Sequence, residues 1–208
     1  YDPAVRRFST MDPLSEKYYS ISPYAYCANN PVRFIDPDGR EIFITGTLSQ
    51  EALQQLQNKV GNSITLSLND QGKVSYTANA EGKLKGDAKR VAGMINDSKI
   101  TVNLATTSEN QTFTGNLMIG GAFMGNTVTK NADGSTSVST QQEVNPNVLG
   151  AADAHTKTAE KIMMHEVTEL YEGAKIFQKS RTSSPRSGVE GSVYESAHNK
   201  ATGQSTVT

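Results

Sequence analysis

The chain after residue 40 alternates short apolar strands with helical segments. Four segments carry the alternating or apolar runs typical of strands, and they are residues 41–47, 63–68, 73–78 and 100–104. The second and third of them flank the turn-forming run Asn69-Asp70-Gln71-Gly72 and therefore predict a β-hairpin. Helices are expected at residues 49–60, where Ser49 is the predicted N-cap, and at residues 83–95, where apolar residues follow helical spacing.

The second half of the chain predicts a further hairpin and then two helices. Strand-like runs are found at residues 116–124, 126–130 and 135–144, and the last two flank a turn-forming run. The longest helix is predicted at 158–178, and its apolar stripe consists of Met163, Val167, Leu170, Ala174 and Phe177. A Ser/Arg/Pro/Gly loop separates it from a shorter helix at 189–201. The order predicts an α+β fold with a small mixed sheet, hairpins and helices.

Composition and charge exclude several classes of protein. The 208 residues include 20 basic and 21 acidic ones, and no basic stripe is interleaved with aromatic residues, so we expect no nucleic-acid partner. No run approaches the roughly 18 to 20 apolar residues of a membrane-spanning helix, so we expect no membrane span. Cys27 is the sole cysteine, which leaves neither an intrachain disulfide nor a thiolate zinc cage.

The predicted long helix carries the motif His165-Glu166-Val167-Thr168-Glu169. Residues four apart stack on one helix face, so His165 and Glu169 can both reach one metal ion, with Glu166 beside them. The shorter helix carries His198, which two facing helices would bring over the first pair. We therefore predict a zinc site with His165, Glu169 and His198 as ligands, an open position for water, and Glu166 as the general base.

Other interpretations of these residues are left open by the sequence. When the apolar stripe faces the core, His165 and Glu169 lie on another face of the helix, which a metal or plain water could meet. His155 is either a further ligand or a loop residue. Four more residues have either a site role or a purely structural one. Glu172 and Glu195 either orient the histidines or solvate their own helices. Tyr171 and Tyr194 either stabilise an oxyanion or pack between the helices.

The motif and the later histidine resemble the metal site of the zincin metallopeptidases, in which HExxH on a helix supplies two ligands and a general base. Here Glu169 replaces the second histidine, and His198 stands where one large branch of the family uses glutamate. The resemblance covers residues 165–198. It implies a two-helix zincin-like metal site at the end of the fold, a protein or peptide substrate, and an edge strand beside the site. The nearest candidate for that strand is 135–144.

Residues 1–40 differ in character from the rest of the chain. They hold 5 of the 7 prolines and 5 of the 8 tyrosines, and Asp-Pro and Asn-Pro pairs recur as turn signals. This pattern predicts short strands and turns rather than a catalytic domain. The chain begins at Tyr1 rather than methionine, which suggests a piece of a longer protein.

Six spaced motifs in this segment resemble the end of the RHS repeat-associated core domain. They are Tyr1-Asp2-Pro3, Arg7-Phe8, Asp12-Pro13-Leu14, Ser22-Pro23-Tyr24-Ala25-Tyr26, Asn29-Asn30-Pro31 and Asp36-Pro37-Asp38-Gly39. The resemblance implies that residues 1–40 close an RHS core and that residues 41–208 are a variable carboxy-terminal cargo domain, often a polymorphic toxin. It also implies the RHS shell of the parent chain and an immunity protein as partners, and a bacterial effector that is secreted or delivered by a secretion system.

Some RHS relatives cut their own chain with two aspartates of Asp-Pro motifs, and the equivalents here would be Asp12 and Asp36. The second motif matches the DPxG form, but the first reads Asp12-Pro13-Leu14-Ser15 and lacks the glycine. We expect no self-cleavage in the isolated chain, because a paired-aspartate site needs both carboxylates close together.

Taken together, the two resemblances predict a toxin-like domain that hydrolyses peptides with zinc. Two other classes are left open by the sequence. One is an RHS-carried toxin of another chemistry, such as a nuclease, against which the near-neutral charge argues. The other is a non-enzymatic cargo or adhesion module whose charged helix face is simply solvated. Bound zinc would separate the first class from the others.

Overall fold

Strands and helices alternate along the domain that follows residue 40. The computed structural model describes residues 42–79, 82–131, 133–157, 161–181 and 183–201 of the unit Glu41–Thr208. The strands are β1 (Ile42–Gly46), β2 (Ile64–Leu68), β3 (Val74–Ala78), β4 (Ile100–Thr106), β5 (Gly121–Lys130) and β6 (Thr136–Val144). The α-helices are α1 (Ser49–Val60), α2 (Gly86–Ile95), α3 (Pro146–Thr156), α4 (Lys161–Ser180) and α5 (Tyr194–His198).

Four of these strands form a mixed sheet in the order β1-β4-β6-β5. Strands β1 and β4 are parallel, as are β4 and β6, whereas β5 is antiparallel to β6. Strand β5 therefore lies at an edge of the sheet. The other two strands, β2 and β3, pair as a separate antiparallel hairpin.

The apolar core lies between the mixed sheet and the helices α1 and α4. Alternate residues of β4 are buried and their neighbours are partly exposed, as expected for a strand with one covered face. The predicted apolar stripe of α4 is entirely buried and consists of Met163, Val167, Leu170, Ala174 and Phe177. Packing of this stripe fixes α4 against the sheet and so fixes the polar side chains that α4 carries.

The coarse prediction of an α+β domain with a small mixed sheet, hairpins and helices is confirmed. Both predicted hairpins form, as β2–β3 and β5–β6. Helix α1 has the predicted bounds, and α2 and α4 overlap the predicted helices. The prediction of two facing helices late in the chain is also confirmed for the described residues, because α5 packs on α4.

Three local predictions are wrong in detail. The N-cap position of α1 is Leu48, which makes no side-chain cap hydrogen bond, so Ser49 begins the helix instead of capping it. Strand structure within 116–124 begins only at Gly121, because the residues before it fold into turns. The final helix is restricted to α5, since glycine-containing turns occupy the positions just before it.

Helix α3 was not predicted, although the sequence carries its start signal. The Asn145 side chain accepts hydrogen bonds from the backbone N–H groups of Asn147 and Val148, at 3.1 and 3.4 Å. Pro146 follows at the first helical position, where its fixed φ suits a helix and its missing N–H costs nothing.

The assignment of residues 135–144 to the edge strand is also wrong. Strand β6 lies between β4 and β5, and the two edge strands of the sheet are β1 and β5. Nearness to the motif in sequence indicated this strand, but nearness does not fix the order of strands in a sheet. In β6, Ser139 and Gln141 face outward, and Val138 and Val144 are buried against the helices.

Residues 1–40, with Asp12 and Asp36, lie outside the described residues. The RHS-like segment, the boundary after residue 40 and the cleavage expectation therefore stay predictions. Within the described part of the chain, none of the helices combines the length and apolar character needed to cross a bilayer.

Candidate metal centre

Helix α4 carries the HExxE motif into the interior of the domain. Its first turn is tied to α3, because the buried Asp153 carboxylate accepts a hydrogen bond from the Ile162 backbone N–H at 3.1 Å. A carboxylate at this end of a helix also interacts favourably with the helix dipole. Inside the motif, the Thr168 hydroxyl donates to the Met164 carbonyl at 2.8 Å, which satisfies a buried polar group locally.

Three polar side chains converge at the junction of α4 and α5, and we call His165, Glu169 and His198 the triad. The His198 Nδ1 atom lies 2.6 Å from Glu169 Oε2 and 3.1 Å from His165 Nε2. The His165 Nε2 and Glu169 Oε2 atoms are 3.3 Å apart. His165 and Glu169 are each only 2% exposed, so the alternative of a solvated helix face is wrong for these two residues.

Small residues lie where α5, which carries His198, meets α4. A Cβ atom added to Gly173 of α4 would lie 3.4 Å from the Cβ of Ala197, which is fully buried on α5. The His165 and His198 rings meet edge to face, with centroids 4.6 Å apart. These two small residues therefore lie at the contact between α4 and α5, next to the point where His198 meets the other two residues of the triad.

Two of the three separations within the triad are close to those between the ligands of a tetrahedral metal ion. Zinc binds histidine nitrogen and carboxylate oxygen at about 2.0–2.2 Å, so two ligand atoms at neighbouring corners of a tetrahedron lie about 3.4 Å apart. Two of the three distances, 3.1 and 3.3 Å, are close to this value. The third, 2.6 Å between His198 Nδ1 and Glu169 Oε2, is that of a short hydrogen bond. One imidazole from each helix and one carboxylate form a donor set that suits zinc.

Glu166 lies beside the triad in a partly buried position. Burial, reinforced by the negative charge of Glu169, raises the pKa of Glu166 to about 8, and the neighbouring His165 opposes this shift. A bound dication would add positive charge and lower this pKa. The Gln142 side-chain amide donates a hydrogen bond to Glu166 Oε2, so β6 orients the carboxylate from the sheet side.

Gly121, the first residue of β5, provides the space for the Glu166 carboxylate. A Cβ atom added to Gly121 would overlap Glu166 Oε2 and come within 3.1 Å of Gln142 Nε2. Both neighbours are the ends of flexible side chains. A methyl group here would therefore displace the carboxylate and leave the backbone in place.

The Gly121→Ala substitution is expected to reduce any hydrolytic activity by about 10²-fold, because a shift of about 1 Å in a catalytic group has an effect of that size. Any zinc held by the triad should remain bound, since the substitution does not touch the triad. The matched control is Gly93→Ala on α2, where an added Cβ meets nothing within 4 Å. Activity assays and zinc analysis of both variants test this. Unchanged activity in Gly121→Ala would exclude the assigned position of Glu166.

The two tyrosines considered from the sequence have different surroundings. The Tyr171 hydroxyl donates to Asp97 Oδ2 at 2.6 Å, away from the triad. The Tyr194 ring lies 5.5 Å from the His198 ring, between it and Phe123. Burial, together with the charges of Glu169 and Glu166, raises the pKa of Tyr194 to about 12. The Tyr194 hydroxyl therefore stays protonated at neutral pH.

The remaining candidates lie outside the triad. His155 is exposed on α3 and is not among the described residues that cluster as metal ligands. Glu172 pairs with Lys175 at 3.1 Å, and Glu195 is exposed. Sequence reasoning missed Gln142 and Gly121. The available signal for Gln142 was its polar character at a core-facing position of β6.

Comparisons with known proteins give little beyond the geometry. No protein-family model matches the chain, and no solved structure matches it. Salivary gland surface protein 1 of Aedes aegypti is 55% identical over 40 residues. The match covers 19% of this chain and 1% of that protein, so the chain spans a very small part of the curated relative it matches. The conclusions about function therefore rest on the triad and its surroundings.

Proposed function

We propose that residues 41–208 form a zinc-dependent peptidase with a zincin-like site. The observation that carries the proposal is the convergence of His165, Glu169 and His198 at the buried junction of α4 and α5. His165 and Glu169 are buried and His198 is partly exposed. Burial of a carboxylate beside an imidazole is costly unless the groups are paired or hold an ion, which favours a functional role for the triad. Its ligand atoms belong to the residue types that zinc prefers.

When bound, zinc would supply a water molecule whose pKa is lowered toward neutrality. A single carboxylate ligand leaves net positive charge on the site, and this charge favours the lowered pKa. Glu166 is placed to accept the proton of the attacking water and to pass it to the leaving amine. The water oxygen ends on the new carboxyl group and the proton on the new amino group, so hydrolysis needs no other reactant.

Two further parts of the chain suit peptide hydrolysis. The protonated Tyr194 hydroxyl can donate a hydrogen bond to the oxygen that gains charge during the attack. Strand β5 ends the sheet beside Glu166, and an edge strand can pair with the backbone of an extended peptide. These features favour a protein or peptide substrate.

The RHS-like motifs of residues 1–40 support a wider assignment for the whole chain. We infer that the peptidase is the variable cargo domain of an RHS-type bacterial toxin, enclosed by the RHS shell of its parent protein, secreted or delivered by a secretion system, and neutralised by an immunity protein. This assignment rests on the motifs alone. The test is to express the full-length parent protein, treat it with a protease and identify the fragment that the shell protects.

The proposal predicts about one zinc ion per chain. The His165→Ala variant should hold less than about a tenth of an equivalent, because the loss of one of three ligands weakens zinc binding by orders of magnitude. The matched control is His155→Ala, which removes an exposed histidine outside the triad and should keep the zinc.

Elemental analysis of the purified chain and both variants measures the zinc content, and a peptide-cleavage assay follows on the same samples. Zinc at the same low level in all three proteins would contradict the proposal. Full zinc occupancy without cleavage of any peptide would retain the metal site and reject the peptidase.

A further inference from the structure

Among the described residues, another backbone segment pairs with only part of the outer edge of β5. The Ser187 backbone N–H donates to the Phe123 carbonyl at 3.1 Å, and the Asn126 N–H donates to the Ser184 carbonyl at 3.1 Å. The Ser184 N–H donates in turn to Asn126 Oδ1 at 2.9 Å. These bonds make residues 183–187, which we call the edge segment, an antiparallel neighbour of β5 on the side away from β6.

Gly121 lies on the same edge, two residues before Phe123. Its partner Val144 on β6 turns its carbonyl toward the Thr107 N–H, at 2.9 Å, so Gly121 and Val144 form a pair without mutual hydrogen bonds. The backbone N–H and C=O of Gly121 therefore point to the outer edge. Among the described residues, no backbone hydrogen bond joins the edge segment to Gly121.

The part of the edge that the edge segment does not pair with adjoins the group assigned as general base. Gly121 is the residue whose Cα faces the Glu166 carboxylate, and Phe123 is where the edge segment makes its last bond to β5. A peptide paired with Gly121 would present its backbone to Glu166. The edge segment occupies the outer edge of β5 only on the Phe123 side of Gly121.

We propose that the site cleaves polypeptides close to their amino terminus, with about two residues before the cleaved bond. This inference rests on the proposed peptidase function. A substrate antiparallel to β5 is collinear with the edge segment, and its amino-terminal side points at Ser187. Two residues of a strand span about 6.8 Å. This is the length of β5 between Gly121 and Phe123, whose carbonyl accepts the hydrogen bond from Ser187.

The direction of the substrate follows from the strand it pairs with. Strand β5 is antiparallel to β6 on one side and to the edge segment on the other. A substrate that pairs antiparallel with β5 continues the same pattern of hydrogen bonds that β5 makes with its two neighbours. A parallel substrate would meet the edge segment with its carboxy-terminal side, so the position of cleavage reports the direction.

The experiment uses the zinc-loaded chain and a mixed-sequence peptide library in three forms: free at both ends, extended by Gly-Ser at the amino terminus, or extended by Gly-Ser at the carboxy terminus. Mass spectrometry locates the cleaved bonds. In the free peptides, we expect cleavage after the first or second residue. The rate of cleavage at these same bonds should fall by at least about tenfold in the amino-terminally extended form. It should not fall in the carboxy-terminally extended form.

A double variant tests the role of the edge segment directly. Asn126→Ala with Ser187→Pro removes two of its bonds to β5 and should allow cleavage farther from the amino terminus, with the zinc content unchanged. The matched control is Ser183→Ala, which removes only the bond from the Val128 N–H to Ser183 Oγ at the far end of the segment. This control should cleave as the unmodified chain does.

Three results would overturn the inference and leave the peptidase intact. They are equal cleavage of internal bonds, cleavage near the carboxy terminus, and a double variant that is uniformly faster without any change in cleavage position. Absence of hydrolysis in every form of the library would reject the peptidase and, with it, this inference.

Discussion

Replacing Glu166 by glutamine is expected to remove at least about 99% of peptide hydrolysis while leaving about one zinc ion per chain. A positioned general base contributes about 10²–10⁴-fold to the rate, and an amide cannot accept the proton. The zinc should remain because Glu166 is not one of the triad residues. Rates measured at saturating peptide, with the zinc content of the same samples, separate the two effects.

The fold should survive this substitution, because glutamine has nearly the shape of glutamate and its carbonyl can still accept from the Gln142 amide. Circular dichroism and the melting temperature check this point. The control is Glu195→Gln, since Glu195 is exposed on α5 and its loss should leave the rate unchanged. Hydrolysis at the original rate in Glu166→Gln with zinc bound would remove Glu166 from the mechanism.

The part of the site that lies within one helix could be predicted from the sequence. The spacing of His165 and Glu169 places both on one face of any helix, and the apolar stripe shows that a helix is present. The contribution of His198 was predicted from the order of two helices and a loop. Its exact approach depends on the contact between Gly173 and Ala197, which no spacing rule specifies.

The sheet side of the site could not be predicted in the same way. Gln142 and Gly121 reach Glu166 because β6 lies inside the sheet and β5 pairs outside it, with Gly121 opposite Val144. Alternation along a strand indicates which residues share a face, but it does not fix the order of strands. For this reason, the sequence predicts residues 135–144 as the edge strand, whereas the edge strand beside the site is β5.

Helix α3 shows a different limit. Its start signal is local, with Asn145 as the cap and Pro146 at the first position, but the helix itself has a weak apolar pattern. Tertiary contacts stabilise it instead. The Pro146 carbonyl accepts from Gln55 of α1 at 2.8 Å, and Asp153 binds the start of α4. A prediction based on periodicity passes over such a helix.

Removal of zinc is expected to lower the melting temperature by about 10 °C. A ligand that binds only the folded state at about a thousand times its dissociation constant adds about 4 kcal/mol. For a domain of this size, 1 kcal/mol corresponds to about 2–4 °C. The structural reason is that the triad joins α5 to α4, so an ion held by both helices is lost when they separate.

The comparison that tests this prediction is the melting temperature with excess zinc and with excess chelator, in the unmodified chain, His165→Ala and His155→Ala. The unmodified chain and His155→Ala should show the same large difference, because both keep the triad. His165→Ala should show almost none, because zinc then lacks one of its ligands on α4. A chelator effect that is equal in all three proteins would assign the stabilisation to zinc bound elsewhere. In the metal-free chain, the 2.6 Å contact between His198 and Glu169 still joins the two helices, so the fold should persist at room temperature and regain its zinc on addition of the ion.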